Sequence, residues 1–134
     1  MHTEFYRTIS VIVEEDPRYK REAYEFVLRS LDETIRRLNR HTRTGADKHI
    51  TGPELLQGVR QLALQEFGLL ARTVFEAWGV HATGDFGEIV FNLIDRQLLN
   101  KQDTDTREDF RDVYDFSVFE EDYEIPIELD TLAD

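Results

Sequence analysis

The 134-residue sequence predicts an all-α or α-rich fold of four to five helices. Three observations carry that expectation. Apolar residues recur at spacings of three and four over 23–38 and 86–98, the period that lines one face of an α-helix. Thr51-Gly52-Pro53-Glu54 has capping-box spacing, in which threonine and glutamate satisfy each other's backbone N–H groups. Gly68 and Gly79 come after apolar runs, where a helix C-terminus favours glycine.

Taken in order, Phe5, Ile9, Ile12 and Val13 share helical spacing, so 4–14 reads as a short first helix. The β-branched run from Ile9 to Val13 keeps a strand open as the alternative. Asp16-Pro17 reads as a restart, with aspartate at N-cap and proline in the first turn. Ala23, Phe26, Val27, Leu31, Ile35 and Leu38 then predict a long amphipathic helix over about 17–39. A basic, polar loop comes next at 40–49. The helix begun at Thr51 presents Leu55, Leu56, Val59, Leu62, Ala63 and Phe67 and stops at Gly68. A short helix over 69–78 is closed by Gly79, with Trp78 expected as a bulky core anchor. Asp85 and Glu88 repeat the capping-box spacing, which places Asp85 at N-cap. Phe86, Ile89, Val90, Leu93, Ile94 and Leu98 form the cleanest stripe in the chain and leave Glu88, Phe91, Asn92, Asp95 and Arg96 outward.

The net charge of −12 is unevenly placed. Residues 1–102 hold 15 acids and 14 bases, whereas 103–134 hold 13 acids and only Arg107 and Arg111 as bases. The body is thus near neutral and the last quarter is a polyanion, an asymmetry that points to an interaction segment. In that quarter Phe110, Tyr114, Phe116 and Phe119 alternate with acids, and Tyr123, Ile125, Ile127 and Leu129 continue the pattern past Glu120, Glu121 and Asp122. The expected division is one helical domain over 1–119 and an acidic tail over 120–134. The tail's named residues are the candidate partner-binding set. Arg36, Arg37, Arg40, Arg43 and Lys48 are the candidate basic region.

Several chemistries find no support. With no cysteine there is no disulfide or thiol chemistry, and the usual structural zinc sites lack their ligands. The histidines at 2, 41, 49 and 81 have no metal spacing. Asp103 to Asp109 resembles a calcium loop only faintly, since Glu108 and Tyr114 stand where that loop needs Gly and Glu. Asp85-Phe86-Gly87 lacks every companion motif of a kinase. No catalytic, cofactor-binding or metal-ligating residue is therefore nominated. No apolar run reaches the ~18 residues of a membrane span, and the first residues lack signal-peptide character, so the cytoplasm is the expected location.

Several blocks look familiar together: Asp16-Pro17-Arg18-Tyr19 with Glu22-Ala23-Tyr24, Gly52 to Gly58, Ala77-Trp78-Gly79, Asp85 to Phe91, and Arg107-Glu108-Asp109-Phe110 with Val113 to Phe116. They resemble a family of short bacterial conserved hypothetical proteins across 15–117. That family has no assigned activity, so the resemblance implies none. A second likeness is architectural. Helix, turn, helix and a polar exit are similar to a winged-helix domain, which implies a recognition helix at 86–98 and a small β hairpin near 98–116. Glu88 and Asp95 on that helix, and the acids after it, oppose a phosphate backbone, so no specific DNA binding is expected.

The leading functional expectation is a non-catalytic protein-interaction or regulatory domain whose acidic, aromatic C-terminal segment meets a partner with a basic surface. The alternative is a nucleic-acid-associated, winged-helix-like module using the basic region at 36–49. An enzyme of unknown type comes third.

Overall fold

A computed structural model describes residues 2–38, 49–99 and 106–121. The described residues are helical: α1 His2–Glu15, α2 Arg21–Arg37, α3 Gly52–Phe67, α4 Ala71–Ala77, α5 Thr83–Asp95 and a last short turn, α6 Val118–Glu121. Two 3₁₀ turns, Gly68–Leu70 and Arg107–Phe110, complete them. The first segment is helix, which resolves the strand alternative at 9–13: Ile9 and Ile12, three residues apart, are the buried pair on α1.

The long helix α2 is central. It packs against α3 along its length, and against α1 and α5. Its buried face is Ala23, Tyr24, Phe26, Val27, Ser30 and Thr34. The last two are small and polar because α3 comes close there. Thr34 turns its hydroxyl back onto the Ser30 carbonyl at 2.7 Å and faces Gly58 of α3. The α5 stripe is core as expected, with Phe86, Ile89 and Leu93 fully buried and Val90 nearly so.

The capping box at α3 is present with both halves: Glu54 N–H donates to the Thr51 hydroxyl at 3.2 Å, and Thr51 N–H donates to Glu54 Oε1 at 3.0 Å. Two other caps differ from expectation. Asp16 does not start α2, which begins at Arg21 after Lys20 in extended conformation. The Asp16 carboxylate instead accepts from Arg18 Nε and Nη2 at 2.8 and 2.7 Å and from Asn92 Nδ2 at 2.9 Å, which outcompetes a capping role. Asp85 sits inside the first turn of α5, which starts at Thr83. From there it reaches back, and Oδ2 accepts from His81 N–H at 2.8 Å and Ala82 N–H at 3.2 Å. It caps the entry to the helix as the acidic half of a box. Tyr19 completes it by donating to Oδ1 at 2.6 Å, and burial pushes the Tyr19 phenol above its ordinary value.

Gly79 is required where it stands. Its φ is +91°, and a side-chain carbon there would meet the Arg18 carbonyl at 2.0 Å. The loop before α2 and the end of α4 are thereby pressed together, and Lys20 N–H donates to the Trp78 carbonyl at 3.0 Å. Trp78 is half-buried, with its ring beside Phe26, Phe67 and Phe75 at centroid distances of 5.4–5.8 Å.

The β hairpin near 98–116 is not formed. Among the described residues there is no strand, and 107–110 closes as a 3₁₀ turn. The reason is Phe110. Its ring is buried on α5 against Phe91 and against Gly52 and Gly87, where no side chain intervenes. A hairpin would have to swing that ring into solvent. The same packing corrects the outward face assigned to α5. Phe91 is buried, and Asn92 bonds to Asp16 and to the Tyr24 hydroxyl. Glu88 is held between Arg18 and Arg107, while Asp95 and Arg96 are the exposed pair.

Candidate interaction surface

The segment 106–121 is built so that its aromatic residues point inward and its acids outward. Thr106 N–H donates to Asp109 Oδ2 at 3.1 Å, opening the 3₁₀ turn. The Thr83 hydroxyl then fixes the bend at 110–113. It donates to the Phe110 carbonyl at 2.6 Å and accepts from Val113 N–H at 3.1 Å, so one side chain of α5 clamps both ends of that bend. Tyr114 donates to the Leu56 carbonyl at 2.6 Å, with burial raising its phenol's pKa. Phe116 and Phe119 enter the aromatic core, each 5.4 Å from the Phe75 ring. Asp115 accepts from Ser117 N–H at 2.8 Å, which holds its carboxyl below the usual range and starts α6.

The carboxylates left on the surface are Glu108, Asp112, Asp115, Glu120 and Glu121. Asp112 and Asp115 border a hollow of about 270 Å³, also lined by His81, Ala82, Tyr114 and Phe116. Glu120 is half-exposed, 3.6 Å from Arg72, which also lies 3.8 Å from Glu76.

Of the candidate partner-binding residues, Glu120 and Glu121 lie together on α6. Asp122, Tyr123, Ile125, Ile127 and Leu129 lie outside the described residues, as do Arg40, Arg43 and Lys48 of the basic region. Arg36 is paired within its own helix, with Asp32 at 3.1 Å and Glu33 at 2.9 Å. Arg37 donates to Gln61 Oε1 at 2.6 Å across to α3.

One surface feature had no sequence signal. Leu69 and Leu70, on the 3₁₀ turn between α3 and α4, are 52% and 64% exposed, and α6 lies against this turn. In sequence they read as part of an ordinary apolar helix.

Among the described residues, no group of His, Asp and Glu is arranged to hold a metal ion, and no helix is long and apolar enough to cross a membrane. No family model, curated protein or solved structure matches the chain.

Proposed function

We propose that the protein is a non-catalytic interaction or regulatory protein whose acidic C-terminal segment meets a basic protein partner. One observation supports this reading best: the segregation along 106–121. Phe110, Phe116 and Phe119 are buried on the body while Glu108, Asp112, Asp115, Glu120 and Glu121 face solvent. The negative field thus has a base anchored by buried rings, and residues 122–134 add five carboxylates and no base. Such a field steers a cationic partner and raises its rate of encounter.

A nucleic-acid role through 36–49 draws less support. Arg36 directs its charge to Asp32 and Glu33, and the helix that would enter a groove is covered by Phe110 and by the loop at 16–20.

The test is titration of the protein against a fluorescent oligolysine peptide at several salt concentrations. Exposed pairs are each worth up to about 1 kcal/mol and weaken as the Debye length shrinks to ~8 Å at physiological salt. Neutralising three acids together (Glu120→Gln, Glu121→Gln, Asp122→Asn) should weaken binding about tenfold. Arg36→Ala should not weaken it. Absence of oligolysine binding at low salt, or equal binding by the neutralised variant, would refute the reading.

A further inference from the structure

We infer that Leu69 and Leu70, together with Glu76, Glu120 and Glu121, form the docking surface for a basic amphipathic helix of a protein partner. This rests on the proposal that the partner is basic, and adds where and in what shape it binds.

The exposure of the two leucines is dictated by the backbone. Gly68 adopts φ 53° and ψ −129°, a combination that only glycine takes without strain. It ends α3 and turns the chain into the 68–70 bend, so that Ala71 is buried while the two residues before it face out. Among the described large apolar residues only Tyr6, on α1, is also exposed, at 45%. Single exposed apolar residues are ordinary on protein surfaces; two adjacent leucines, each more than half exposed, make a patch that a partner can cover.

The surroundings specify the partner's charge. α6, which lies against the leucine turn, carries the exposed Glu120 and Glu121. Arg72, two residues after Leu70, lies between Glu76 and Glu120, so its charge is matched by two carboxylates. From α6 the chain continues into the acidic residues of 122–134. An apolar knob bordered by carboxylates complements a helix whose apolar stripe is flanked by lysine or arginine. Nucleic acid and anionic lipid both carry the wrong sign. A second copy of this chain would bring two acidic edges together.

Two peptides of equal charge test this on the full-length protein: a short leucine–lysine peptide with helical apolar spacing, and oligolysine. Leu69→Ser with Leu70→Ser should weaken the amphipathic peptide about tenfold or more and leave oligolysine binding unchanged, with an unaltered melting curve. If both peptides bind and neither responds to the leucine change, the docking surface is wrong while the acidic-segment reading stands. If neither peptide binds the unaltered protein, that reading fails and takes this inference with it. One further outcome overturns the inference by assigning the face elsewhere: self-association abolished by the leucine change would assign it to a second copy.

Discussion

Gly87→Ala sets two well-characterised effects against each other. Gly87 lies within α5, where alanine is favoured over glycine by about 1 kcal/mol. Helix propensity alone therefore predicts a more stable protein. Packing predicts the opposite. A methyl group there would stand 2.7 Å from Phe110 Cβ and 2.8 Å from Cγ, against the 3.5–4.0 Å of comfortable carbon contact. If the turn holds, overpacking costs about 1–3 kcal/mol. If it yields, the Thr83–Phe110 hydrogen bond is lost at about 1 kcal/mol. Uncovering the Phe110 ring then adds up to about 1.5–3 kcal/mol. After subtracting the propensity gain, Gly87→Ala should destabilise by up to about 2 kcal/mol if the turn holds and by about 1.5–3 kcal/mol if it yields, with a fall in Tm of about 3–5 °C per kcal/mol for a domain of this size. Urea denaturation measures the free energy directly, and an unchanged m-value would locate the effect in the native state. A double-mutant cycle sharpens it: in a Phe110→Ala background the ring no longer pins the turn, and the glycine change should cost less by about 1 kcal/mol. Equal or greater stability of Gly87→Ala in the intact protein would refute the seating of Phe110 on α5.

The packing and the polar contacts give three other expected outcomes. Leu93→Ala should cost about 2–5 kcal/mol in chemical denaturation, the range for emptying a fully buried aliphatic site. Asp85→Ala removes the acceptor for two backbone N–H groups and for the Tyr19 hydroxyl, so it should cost about 2 kcal/mol, more than a simple cap; Asp85→Asn should recover part of it. Asp16 is held well below the usual carboxylate range by its hydrogen bond to Arg18. Its contribution is complete above the ordinary aspartate value near ~3.9 and is lost as pH falls from there, so the stability gap between the unaltered protein and Asp16→Asn should narrow in acid.

The elements legible in the sequence were those whose signal is local. The α5 stripe and the Thr51–Glu54 box each lie within a few turns of one helix, and neither depends on a distant residue. Asp85 was misplaced by only three positions within a local box, whereas two other misread positions depend on distant residues. Asp16 looks like a cap from its neighbours, yet its amide partner Asn92 is 76 residues away. Phe91 looks exposed from the period of α5, because the ring that covers it, Phe110, arrives on a segment with no helical period. The candidate surface was half legible. Charge and aromatic content marked 103–121, but the exposure of Leu69 and Leu70 comes from the dihedral angles at Gly68, which composition does not encode.

The aromatic core has a consequence for how the chain is made. Phe75 is surrounded by Phe26, Trp78, Phe86, Phe116 and Phe119, and two of those five rings come from the last residues of the described chain. A ribosome delivers residues in order, at about 5–20 per second, so α1 to α5 emerge with one wall of their hydrophobic centre missing. Until residue 119 is free of the exit tunnel, Phe75 and Phe86 stay open to water and to neighbouring chains. The nascent protein is therefore open to misassociation at its hydrophobic centre until Phe116 and Phe119 have emerged.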